Sequence, residues 1–234
     1  LLEDGLPVNI YKRRGNRSLR LSVNAEGTVR VSIPAWAPYS AGLNFARSRR
    51  SWILAQRTPD RGLADGQPIG KAHHLQFMPK AGLAKPSGRV RAGAVVVSHP
   101  PELPAGDPAV QAAARKAAVR ALRAQAEQLL PQRLAALAKM HDFSYGAISV
   151  KQLKSRWGSC DQHGNISLNL FLMQLPWECI DYVLLHELTH TRIMRHGPDF
   201  WKAMEALQPD VKVLRKRLRG YQPVLDGSAA ADMA

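Results

Sequence analysis

Polar and apolar residues alternate through residues 17–23, as Arg-Ser-Leu-Arg-Leu-Ser-Val, and again through residues 29–33. Asn24-Ala25-Glu26-Gly27 lies between the two runs as a turn, and Pro34 stops the second. Period-two alternation puts one face of a strand in a core and the other in water, so this stretch predicts a β-hairpin. Over residues 39–56 the period lengthens. Leu43, Phe45, Ala46, Trp52, Ile53 and Leu54 fit a short helix whose wet side carries Arg47, Arg49 and Arg50. Strand-like pieces return at residues 74–78 and 90–97.

Residues 99–108 hold four prolines and a glycine, a composition that continues neither a helix nor a central strand and so marks a linker. Residues 109–141 are rich in alanine and leucine with interleaved arginines, and Pro131 is expected to break or kink them into two helices. Residues 146–151 and 165–170 read as strands, with Asp161-Gln162-His163-Gly164 as the turn between them. Pro176 suits the first turn of a helix running to about Arg195, which Gly197-Pro198 ends; another helix follows over residues 199–207. The expected class is α+β: a strand-rich region over residues 1–105, a second unit over residues 106–226, and a small, polar, disordered tail over residues 227–234.

The chemistry concentrates in His186-Glu187-Leu188-Thr189-His190. Each helical residue advances about 100°, so residues four apart lie about 40° apart on one face. His186 and His190 can therefore reach one ion, while Glu187 falls beside them, able to hold a water without filling a ligand position. Ile180, Val183, Leu184 and Leu188 form an apolar arc next to the histidines, so the helix is expected to be buried. Two neutral imidazoles and one further ligand leave zinc an open tetrahedral position, where water has a pKa of about 7. The third ligand is open between His196, Asp199 and Glu205. His196 is preferred because it stands just before Gly197-Pro198, where the chain can fold back; Glu205 is the reserve. A metzincin carries glycine three residues after the second histidine, and Ile193 stands there instead, so Met204 need not be a Met-turn.

Among other candidates, Arg156 ahead of this helix can grip substrate or donate to developing negative charge. Trp157 reads as core, and Phe200 and Trp201 as packing at the base of the site. Cys160 reads as a small buried residue, since a fourth protein ligand would close the position that catalysis needs. His73, His74 and His163 have no partner at ligand spacing and read as surface histidines.

Composition narrows the class. Two cysteines, Cys160 and Cys179, are too few for a disulfide framework and lack C-x-x-C spacing, which favours a reducing cytoplasm. No transmembrane run and no signal peptide are visible; the chain opens at Leu1 and not at methionine, which leaves room for a leader removed before it. The net charge of +15 would draw the protein toward nucleotides, nucleic acid or an acidic surface, although no standard nucleic-acid-binding motif accompanies it.

The run Lys154-Ser155-Arg156-Trp157-Gly158-Ser159-Cys160, then Ile166-x-Leu168-Asn169, Pro176, residues 182–190, His196 and Phe200-Trp201 resembles the YgjP-like metallopeptidase domain. That bacterial group of the zincin clan is related to the SprT-like and WLM families. The resemblance covers roughly residues 10–221, strongly after Val150. It implies a zincin-like fold with His186, His190 and His196 as zinc ligands and Glu187 as general base; Thr189 replaces the alanine often found there. Three functions follow as expectations: a zinc peptidase acting on peptides or proteins, a nucleoside triphosphate hydrolase using the same site with Lys151, Lys154 and Arg156, and a peptidase tethered to nucleic acid by its basic surface.

Overall fold

The computed structural model describes residue 2 and residues 5–23, 27–56 and 62–225; residues 24–26 of the expected turn and the expected tail at 227–234 lie outside the described residues. Contacts divide the chain into two units, residues 1–61 and 62–234.

In the first unit, strands β2 (Arg20–Val23) and β3 (Val29–Pro34) pair antiparallel as the expected hairpin. Strand β1 (Val8–Arg13), which no local alternation announced, adds to the other side of β3 in parallel and gives the order β1-β3-β2. Val29, Val31 and Ile33 are fully buried with Ala46 and Ile53. The expected single helix over residues 39–56 is two, α1 (Tyr39–Ser48) and α2 (Arg50–Gln56), because Arg49 leaves the helical region at φ −108° and ψ 17°. Helix α1 approaches the sheet at Gly42, where a Cβ would lie 2.8 Å from a methyl carbon of Ile10.

The second unit begins with β4 (Pro68–Ile69), β5 (His73–Pro79), β6 (Ser87–Arg91) and β7 (Ala94–His99), ordered β4-β5-β7-β6. The division near residue 61 differs from the expected break near residue 105, and the reason is helix α3 (Pro108–Met140). Leu75, Val95 and Val97 are buried in one core with its face of Ala114, Ala117, Ala118 and Ala121. Two buried glutamines on that helix complete the attachment. Gln111 Oε1 accepts from the Leu63 N–H at 2.7 Å, and its Nε2 donates to the Leu63 and Ala105 carbonyls at 3.0 and 2.8 Å. Gln125 Oε1 accepts from the Lys71 N–H at 2.6 Å, while its Nε2 donates to the Ile69 carbonyl at 2.9 Å and lies 2.8 Å from His73 Nδ1. His73, expected at the surface, is therefore half-buried and tied; His74 is exposed.

Pro131 does not divide α3, which runs unbroken for 33 residues with Asp107 capping its first turn. Leu130, Leu134 and Leu137 continue its buried face beyond the proline, so tertiary packing outweighs the missing hydrogen bond. The second sheet follows: β8 (Ile148–Lys151), β9 (Gly158–Cys160) and β10 (Ile166–Asn169) in the order β8-β10-β9, with β9 antiparallel at an edge. A 3₁₀ turn over Leu170–Gln174 leads to α4 (Trp177–His190), then α5 (Pro198–Leu207) and α6 (Val211–Leu218). Among the described residues no helix is long and apolar enough to cross a membrane.

Replacing Gln125 by leucine removes one acceptor and one donor and leaves the Lys71 N–H and the Ile69 carbonyl unsatisfied. Gln125→Leu should lower the stability of the second unit by about 1–3 kcal/mol in urea unfolding, the usual cost of an orphaned buried polar group. An unchanged midpoint would show that these bonds do not hold residues 62–73 in place.

Candidate functional site

Helix α4 is buried nearly all round: Ile180, Val183, Leu184, Leu185 and Leu188 face core, and Glu187 and His190 are buried too. It ends soon after the second histidine, five residues before the expected limit near Arg195. Thr189 Oγ1 donates to the Leu185 carbonyl at 2.7 Å and Thr191 Oγ1 to the Leu188 carbonyl at 2.8 Å. The chain then turns, and Gly197 and Pro198 open α5. That short connection carries His196 back over α4.

The three Nε2 atoms converge. His186 and His190 are 3.2 Å apart, His190 and His196 3.0 Å, and His196 and His186 2.9 Å. His190 Nδ1 lies 3.1 Å from the Ile193 carbonyl, which can only accept, so Nδ1 carries the proton and Nε2 presents its lone pair to the triangle. Protons cannot satisfy all three edges, because each needs a lone pair opposite it and an imidazole nitrogen has one or the other. A single cation does satisfy them. Two nitrogens bonded to tetrahedral zinc at about 2.0–2.1 Å stand about 3.3 Å apart, close to the spacings here. His186, His190 and His196 are also the group of potential ligands that lies together among the described residues.

Aromatic rings hold this arrangement. Phe200 is fully buried and its ring centre lies 4.9, 4.6 and 4.8 Å from those of His186, His190 and His196. Trp201 stacks on His196 at 5.8 Å and 21°, and the Arg215 guanidinium rests 4.2 Å from the Trp201 ring centre. Tyr182, one turn before His186, places its ring 6.0 Å away. His186 Nδ1 is buried without a hydrogen-bond partner among the described residues, and the Tyr182, Phe200 and Trp201 rings pack around its imidazole.

Glu187 lies beside the triangle, 5% exposed, and no donor among the described residues bonds its carboxylate. Burial pushes that carboxyl up to about 7, and the exposed Arg156 guanidinium pulls it partly back. Strand β9 makes the space. A Cβ on Gly158 would lie 2.7 Å from Glu187 Oε1 and 2.8 Å from its Cγ, so only glycine lets the carboxylate lie against the strand. The loop before β9 is fixed by Asn169, whose Nδ2 donates to the Leu153 and Arg156 carbonyls at 2.8 and 2.7 Å.

Other candidates fall away from the triangle. Glu205, the reserve ligand, pairs with Lys212 at 3.0 Å, and Asp199 is exposed on α5. Cys160 is half-buried where a buried residue was expected, and burial followed by the Glu187 charge pushes its thiol up to about 11, which keeps it protonated. Trp157 is half-buried against the core, and His163 is exposed. Gly158 and Tyr182 stand in the runs that carry the family resemblance, but their contacts with Glu187 and His186 were not foreseen. Tyr182 had a signal for its contact, since it stands four residues before His186 on the same helical face; the contacts of Gly158 and Arg215 depend on neighbours across the fold.

The family model described as "YgjP-like, metallopeptidase domain" matches residues 17–221. Two solved structures are similar in part. The metallopeptidase zymogen abylysin of Pyrococcus abyssi is 21% identical, with 39% of this chain and 93% of that one covered and a TM-score of 0.36. The zymogen jannalysin of Methanocaldococcus jannaschii is 18% identical, with 38% and 93% covered and a TM-score of 0.35. Among curated proteins none matches.

Burial, then the neighbouring His190 and His196, push the His186 imidazole down to about 3. A histidine kept neutral on folding gives stability that is complete above its unfolded pKa of about 6.5 and is lost as the pH falls toward the folded value. Chelator-treated protein should therefore unfold more easily at about pH 5 than at about pH 7. That decline should be shallower in His186→Leu; equal slopes in the two proteins would mean the imidazole is not held neutral.

Proposed function

This chain belongs to the YgjP-like metallopeptidase family, and we propose that it hydrolyses peptide bonds with a zinc ion held by His186, His190 and His196 and with Glu187 as general base. The observation that carries this reading is the triangle of imidazole nitrogens with a carboxylate one residue along the same helix. Zinc accepts three nitrogen donors with a fourth position left open, and it supplies Lewis acidity that brings the pKa of water from 15.7 to about 7.

The remaining work falls to the chain itself. Glu187, next to His186 on α4, has no donor on its carboxylate among the described residues, and in this reading it takes a proton from water and returns it to the leaving amine. Arg156, exposed and near enough to Glu187 for its charge to lower that carboxyl, would donate to negative charge developing on the substrate carbonyl. Strand β9 is the edge of its sheet, and an extended peptide can pair with such an edge through backbone hydrogen bonds next to Glu187. That favours a peptide over a nucleoside triphosphate. Lys151, one of the cations behind the nucleotide alternative, instead donates to Ser167 Oγ at 2.9 Å. The catalytic unit in this reading starts at residue 62 and not at residue 106.

Two measurements test it. Glu187→Gln should keep zinc and lower peptide turnover by about 10²- to 10⁴-fold, the usual contribution of a general base. An undiminished rate in that zinc-loaded variant would overturn the mechanism. Metal analysis should find zinc lost in His186→Ala, His190→Ala and His196→Ala and kept in Glu205→Ala, whose carboxylate is engaged by Lys212; the reverse result for residues 196 and 205 would reassign the third ligand.

A further inference from the structure

The sheet of the first unit has one face covered and one face open. Val8 and Ile10 of β1, Leu21 and Val23 of β2, and Val29, Val31 and Ile33 of β3 point to the covered side, where Gly42 brings α1 against Ile10 and Ile33. The pleat then sends the alternate residues to the other side. Register places Tyr11 beside Ser32 and Ser32 beside Arg20 in one row, and Asn9, Arg30 and Ser22 in the next; Arg13 lies at the end of β1 beside Pro34. All of these except Ser32 and Pro34 are exposed, Tyr11 at 45%. Ser32 is covered by Asn16, whose Nδ2 donates to its Oγ at 3.0 Å.

Two features of this face limit what can bind it. It is cationic, and the described residues of the first unit include no aspartate or glutamate, so its arginines have no carboxylate there to neutralise them. It also carries an exposed ring and side-chain amides and hydroxyls but no aliphatic side chain. A lipid surface would need apolar groups to insert. A strand of nucleotides needs what is present: guanidinium groups for phosphates and a ring face for a base. A double helix would offer the arginines its phosphates but keep its bases from Tyr11.

We propose that the open face of the β1-β3-β2 sheet binds single-stranded nucleic acid, with one base stacked on Tyr11 and the backbone phosphates held by Arg13, Arg20 and Arg30. Arg20 is two strands from Tyr11, about 10 Å away at ordinary strand spacing, so phosphates on either side of a stacked base come within reach of the long side chains. The site is independent of the histidine triangle and does not rest on the peptidase reading.

The test uses the full chain and fluorescent twelve-nucleotide oligomers of dT and of U, measured by anisotropy beside a duplex of equal length and vesicles containing phosphatidylserine. Single strands should bind more tightly than duplex or vesicles; preference between dT and U identifies the sugar. Affinity should fall with salt at a log–log slope of about −2, which three phosphate contacts at about 0.7 each would give. Tyr11→Ala should weaken binding roughly 5- to 150-fold while Tyr11→Phe preserves it, because stacking needs the ring and not the hydroxyl. The double variant Arg20→Glu/Arg30→Glu should lose binding and most of the salt dependence, with its circular dichroism and its peptide turnover unchanged. Equal affinity for duplex and single strand, tighter capture by vesicles, no binding of either oligomer at low salt, or a Tyr11→Ala affinity equal to that of the parent would each overturn the proposal.

Discussion

The alanine stripe of α3 lets neighbouring backbone come into direct contact with the helix, and both sheets of the second unit take their positions from it. Ala114, Ala117, Ala118 and Ala121 are fully buried, and a Cβ added at Gly88 of β6 would lie 2.5 Å from the Ala117 Cβ. Larger residues along this stripe would hold the sheet off. The same helix then turns a leucine face to the segment before α4, and Arg133 clamps Asp181 of α4 with two bonds of 2.7 and 2.6 Å. The histidine-bearing helix is thus positioned by packing along its length and by this two-bond ion pair.

Within that frame the triangle combines parts of different rigidity. His190 is buried on α4 and His186 is half-buried one turn before it, so their relation is set by helical geometry. His196 is exposed on a connection, and its place depends on an edge-to-face contact with Phe200 and on stacking against Trp201. Desolvation favours the neutral imidazoles that a cation requires while opposing the charge on Glu187. A cation in the triangle would reverse the second effect, since its field favours the carboxylate. The two pressures are reconciled by one ligand.

Much of this was legible because it is local. The spacing of His186, Glu187 and His190 fixes their relative directions on any helix, and Gly197-Pro198 marks where the chain must leave it. The hairpin of β2 and β3 was equally readable from alternation across a short turn. What escaped was non-local. Strand β1 pairs in parallel with a strand about twenty residues away, which leaves no turn signal between them. The prolines at residues 99–108 read as a domain boundary, yet the glutamines that bind residues 62–73 to α3 lie beyond them in sequence. Pro131 read as a breaker because local rules cannot see the leucines packed on either side of it.

Gly158 and Glu187 occupy one volume, although 29 residues separate them in sequence, because a Cβ at the first would stand where the second keeps its carboxylate. A side chain at the first would therefore displace the second. If Glu187 is the general base proposed above, a descendant of this fold could retain both histidines of α4 and still be a pseudoenzyme once position 158 acquired a side chain, since the glutamate would no longer have its seat. On that reading a working centre needs a glycine opposite the glutamate as well as the histidine motif.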